Sequence, residues 1–146
     1  EIEVGKLPVI TKFIYTLGVL PTSYLMSMTY QEQVTWLCKM LKANGFLDAK
    51  VSTESFLAIM KLLRIPPSPI NWTGSLNSLI YFTREMFMEL NPSFAHLTAN
   101  WFTNNNANVN YGTIKTKSSQ LNRFPERYDF IPLIDNLILQ AKQIGE

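Results

Sequence analysis

Among its 146 residues the chain has one cysteine and one histidine, and only 16% of its side chains are charged. One cysteine excludes an internal disulfide and leaves the redox compartment undefined. Cys38 falls on an apolar helical stripe and reads as a small buried hydrophobe. His96 has no cysteine or acidic cluster near it in sequence, so neither a metal site nor a general base is expected there. The six glycines are isolated, which excludes a phosphate-cradling loop. The acids are scattered, and Glu85 and Glu89, four apart on a helix, read as a solvated face. No catalytic residue, metal ligand or cofactor follows from these residues, and an enzyme is the reading with least support. The basic, apolar and small-residue regions of a signal peptide are missing as well. No apolar stretch reaches the roughly 18 residues that a membrane span needs. Residues 7–28 come nearest, with Lys12 as their only charge, and Pro8, Gly18 and Pro21 interrupt them. The first residue is Glu1 rather than methionine, which fits a fragment or a trimmed chain.

What is present suits one helical domain over residues 1–146, large enough for a real core. Apolar residues make up 47% of the chain, while charge falls below the usual quarter. Either the surface is rich in Asn, Thr and Ser, or part of it is covered by a partner. The net charge of +2 is too small to argue for nucleic acid.

The clearest helix is predicted at residues 30–44. Thr29 and Glu32 have capping-box spacing. Val34, Leu37, Cys38 and Leu41 form one apolar stripe, widened by Trp36 and Met40. Lys39 and Lys42 suit the C-terminal dipole, and Gly45 suits the left-handed residue that ends a helix. Before it, Pro8 opens a helix carrying Ile10, Phe13, Ile14 and Leu17, and Thr22 or Ser23 starts a short turn. After it, Ser52 or Thr53 caps a helix to about Arg64 with Phe56, Ile59, Met60 and Leu63 inward, ended by Pro66, Pro67 and Pro69. Thr73 or Ser75 caps the next, roughly 76–90, with Leu76, Leu79, Ile80, Met86, Phe87 and Leu90 inward and Arg84 and Glu85 outward. Asn91-Pro92 starts another, carrying Phe94, Leu97 and Trp101 to about Phe102. Asn104–Asn110 reads as a turn. Val109–Lys117 alternates weakly, as a short strand would, with Ile2–Val4 as its one candidate partner. Ser118–Asp129 reads as loop. Pro132 opens a last helix with Leu133, Ile134, Leu137, Ile138 and Ala141 on its face. The fold class read here is all-α: a compact bundle of about six short helices with one long loop at 103–129.

Two surfaces emerge as candidates for binding. Residues 111–128 set Lys115, Lys117, Arg123 and Arg127 against Glu126 alone, with Tyr111, Phe124 and Tyr128 interleaved. Cations and aromatics together are what single-stranded nucleic acid requires. A solvated loop anchored by Phe124 and Tyr128 is the plainer explanation. Asn71-Trp-Thr73 has the form of a glycosylation sequon, which without a secretion signal carries little weight. Trp72, beside three prolines, is either an exposed aromatic or a plug over the core.

The second surface lies in Tyr15-Thr-Leu-Gly-Val-Leu-Pro-Thr-Ser-Tyr24 and Ser27-Met-Thr-Tyr-Gln-Glu-Gln-Val-Thr-Trp-Leu-Cys38. This segment resembles the N-terminal virion-attachment segment of bacteriophage fibre, neck-appendage and upper-baseplate proteins. In that group a Leu-Gly-Val-Leu-Pro-x-Ser-Tyr phrase precedes Thr-Tyr-Glu-Glu-Gln-x-x-Trp-Leu-Cys. The resemblance covers residues 15–38 and implies an element, within residues 15–45, that anchors to a virion. After Met40 the pattern departs from the family, which continues into a helical stem and a receptor-binding head. The expectation is therefore a non-enzymatic docking protein of a phage virion, found in the particle or the infected cytoplasm. It would bind another virion protein or itself through Leu20, Pro21, Tyr24, Tyr30 and Trp36, aromatic and apolar anchors of the hot-spot kind. The alternative is a small nucleic-acid-binding protein using Lys115, Lys117, Arg123 and Arg127.

Overall fold

A computed structural model describes residues 22–61, 69–87 and 94–144. Within them the chain forms seven α-helices and a small three-stranded sheet. The helices are α1 (Thr22–Leu25), α2 (Met28–Ala43), α3 (Thr53–Met60), α4 (Leu76–Phe87), α5 (Phe94–Trp101), α6 (Tyr111–Arg123) and α7 (Phe130–Lys142). The strands are β1 (Ile70–Trp72), β2 (Phe102–Asn104) and β3 (Ala107–Asn108). Helix dominates, but the fold is not purely all-α. The expected helix opened by Pro8, the segment Ile2–Val4, the stretch from Leu63 to Pro67 and the Asn91-Pro92 start all lie outside the described residues.

Helix α2 begins two residues before its expected start, because Ser27 rather than Thr29 is the cap. Ser27 has extended backbone, and its Oγ accepts from the Tyr30 N–H at 3.1 Å. Thr29 then lies inside the first turn, and Glu32 is exposed beyond reach of a capping box. The far end behaves as Gly45 suggests. Gly45 has φ +79°, its N–H donates to Lys42 O, and the Phe46 N–H donates back to Leu41 O at 2.9 Å. These two bonds are a Schellman ending, which satisfies carbonyls the helix leaves open. Ser52 caps α3 by accepting from the Ser55 N–H, and Ser75 caps α4 by accepting from the Ser78 N–H.

The largest correction concerns 103–129, which is not a long loop. Asn105 and Asn106 both have positive φ and make the two-residue turn of a β2–β3 hairpin, which suits asparagine. Asn110 then caps α6 by accepting from the Thr113 N–H. Residues 111–117 are therefore helix, not strand. A turn of 3-10 helix, Pro125–Arg127, leads into α7. β1 pairs parallel with β2, placing Ile70 against Phe102 and Trp72 against Asn104.

The core is built on aromatic rings. Trp72 is fully buried between Phe46, at 5.6 Å, and Phe82, at 5.2 Å, and Phe82 stacks on Phe56. Its indole N–H donates to Ser78 Oγ at 2.9 Å, which satisfies the polar edge. Trp72 is thus the middle of the core rather than an exposed aromatic. Gly74 lets the chain turn over this stack, since a Cβ there would stand 2.8 Å from the indole nitrogen and 2.9 Å from Phe46. Two outward or inward assignments reverse. Glu85 is buried, and Leu133 is 39% exposed.

Candidate docking site

Leu20 and Pro21 lie outside the described residues. Of the three remaining anchors, Tyr24 and Tyr30 meet at the corner between α1 and α2, and Trp36 lies farther along α2. Tyr24 is half-buried, its ring 5.5 Å from that of Tyr30, and its hydroxyl donates to Gln33 Oε1 at 2.7 Å. Gln33 is a polar residue on the buried side of α2. Its amide donates to Lys142 O and Ile144 O, both at 3.1 Å, at the end of α7. The corner and the C-terminal helix are thereby bolted together through one satisfied amide, and a buried amide without such partners would be costly. Tyr30 is fully buried and donates to Met60 O at 2.9 Å. It is a core residue with no face for a partner. Burial, with Tyr24 beside it, pushes its phenol well above the ordinary range. Trp36 is half-buried at the edge of the core.

What the corner does present was not singled out in the sequence. Met26 is 55% and Met28 69% exposed, on either side of the Ser27 cap. Met28 falls on the outer face of α2 with Glu32, Thr35 and Lys39, all exposed. The signal was available: on a 3.6-residue period Met28 lies opposite the Val34–Leu37–Leu41 stripe. The sequence points to the tyrosines instead because aromatic rings are the usual anchors. The geometry is a rigid frame carrying two flexible, polarizable side chains, a combination suited to irregular protein surfaces.

The basic residues separate. Lys115 and Arg123 are exposed on one side of α6, whereas Lys117 is half-buried on another. Arg127 places its guanidinium 4.2 Å from the centre of the exposed Phe124 ring. His96 is exposed on α5 and stacks on Tyr111, with ring centres 4.2 Å apart and planes 16° apart. Cys38 is buried beside Thr53, and burial pushes its thiol up. No hydrogen bond joins Cys38 to His96. Among the described residues no group of three His, Cys, Asp or Glu is placed to hold a metal, and no helix is long and apolar enough to cross a membrane.

The sequon is occupied by the fold. Asn71 is buried, donates to Asp48 Oδ2 at 2.9 Å, and accepts from Thr103 Oγ1 and the Asn106 N–H at 2.8 Å. Its side chain ties β1 to the hairpin turn and is closed to a glycan. The Lys50 N–H and then Asn71 hold the Asp48 carboxyl below its ordinary value. This acid is a fixed acceptor in a loop.

No protein-family model, curated protein or solved structure matches this chain.

Proposed function

We propose that the chain is a non-enzymatic docking component of a bacteriophage virion, binding another virion protein through the α1–α2 corner. The observation that carries this reading is the pairing of a braced frame with exposed apolar side chains. Tyr24 and Gln33 fix the corner to the end of α7, and Met26 and Met28 remain open to solvent. Fixing the frame before binding lowers the ordering cost that association must overcome. The phage-like resemblance at residues 15–38 covers this same corner and supplies the class of partner. Within that reading the tyrosines of the resembling segment shape the corner, and the methionines with the edge of Trp36 make contact.

The test is mass spectrometry of intact, gradient-purified particles from the phage whose genome carries this sequence. The chain is expected in the particle at a fixed ratio to the other structural proteins. Abundance in the infected lysate with absence from the particle refutes the proposal.

A further inference from the structure

Helix α6 differs in its charge from the other helices among the described residues. It contains Lys115, Lys117 and Arg123 and no acid, and it buries only Ile114 and Leu121. Tyr111, Lys115, Ser119 and Arg123 recur every four residues, so they form one ridge along the helix surface, and all four are exposed. Each end of the ridge carries an exposed ring held by a planar neighbour. At the start His96 stacks on Tyr111, which keeps 39% of its surface exposed. Past the end, the Arg127 guanidinium covers Phe124, which keeps 46%. Stacking against a neighbour restrains the ring and reduces the ordering a ligand must impose.

We propose that this ridge is a binding face for single-stranded nucleic acid, on different elements from the α1–α2 corner and independent of it. Cations on the ridge attract phosphates, and the terminal rings offer π-faces to unpaired bases, which a duplex keeps stacked. The twelve steps from Tyr111 to Arg123 rise about 18 Å at 1.5 Å per residue. That length suits a short site on the order of four nucleotides. Glu126 and Asp129 are exposed beside Arg127 and weaken that end. Lys115 and Arg123 therefore make the principal phosphate contacts.

The experiment is fluorescence anisotropy of the full chain with a labelled oligothymidylate of about 16 nucleotides, the upper site size for such modules. About three phosphate contacts predict a log–log salt slope near −2. The K115Q/R123Q double variant should bind at least tenfold more weakly and lose most of that slope, with circular dichroism unchanged because both residues are exposed. Phe124→Ala should weaken binding roughly tenfold, as loss of one stacked base does, while leaving the slope in place. The proposal is overturned by any of three results. One is no anisotropy change at low salt. Another is a double variant that binds as tightly as the parent. The third is a duplex, or phosphatidylserine vesicles, competing as well as the single strand.

Discussion

Tyr30 and Tyr81 are neutral groups in places where a charge would be expensive. Tyr30 is enclosed in the core, and Tyr81 is buried with its hydroxyl donating to Asp135 on α7. Burial raises both phenols far above their ordinary value, and for Tyr81 the Asp135 carboxylate and Glu85 add to the effect. Because the folded pKa lies above the unfolded one, the stability each contributes is complete below about pH 10. Above that, the unfolded chain releases protons that the folded chain keeps, so stability falls as pH rises. Urea midpoints should therefore hold between pH 7 and 9 and drop steeply toward pH 11. In Tyr81→Phe the drop should be shallower, whereas an unchanged profile would mean that Tyr81 ionises freely in the folded protein.

Helix α6 depends on its neighbours. Its sequence is rich in Ser, Thr and Lys, includes Gly112, and offers only two buried apolar residues, so intrinsic propensity gives it little support. Arg84 compensates from α4. Its guanidinium donates to Ser118 O at 3.2 Å and Asn122 Oδ1 at 2.9 Å, and it lies 3.9 Å from the buried Glu85 carboxylate. Arg84→Met should cost about 2 kcal/mol through these charge-assisted bonds. Hydrogen exchange should speed up in α6 first, and loss spread evenly over α2 and α4 would contradict the role. The same weakness explains what the sequence concealed. Helix α2 is legible because its stripe, basic end and Gly45 all agree; only its cap differs, since Thr29 has capping-box spacing to Glu32 while the fold uses Ser27. Helix α6 was not legible, because Ile114 and Leu121 seven apart make no periodic stripe. The strands escaped for a related reason. Three residues such as Ile70-Asn71-Trp72 are too short a run for an alternation to stand out, and in the fold all three are buried. Glu85 reads as outward because a lone carboxylate in a helix ordinarily faces water; in the fold it is buried with the Arg84 guanidinium 3.9 Å away.

At the scale of the molecule, the α1–α2 corner is locked to the last helix by Gln33, so that residues 22–38 of the resembling segment, the part the structure describes, belong to the body of the fold. Tyr24 and Tyr30, which read as contact anchors in the sequence, are tied into the frame, and under the proposed function contact falls to Met26 and Met28, each two positions away. This exchange separates folding from docking in a way that substitution can resolve. The decisive measurement is cosedimentation of the purified chain with particles that lack it, comparing the parent with M26D/M28D. Both methionines are exposed, so the variant should keep the parent's circular dichroism and urea midpoint. Each lost anchor of this kind commonly costs on the order of 2 kcal/mol, so binding should weaken by roughly 30-fold or more. A folded variant that cosediments as well as the parent would contradict the account.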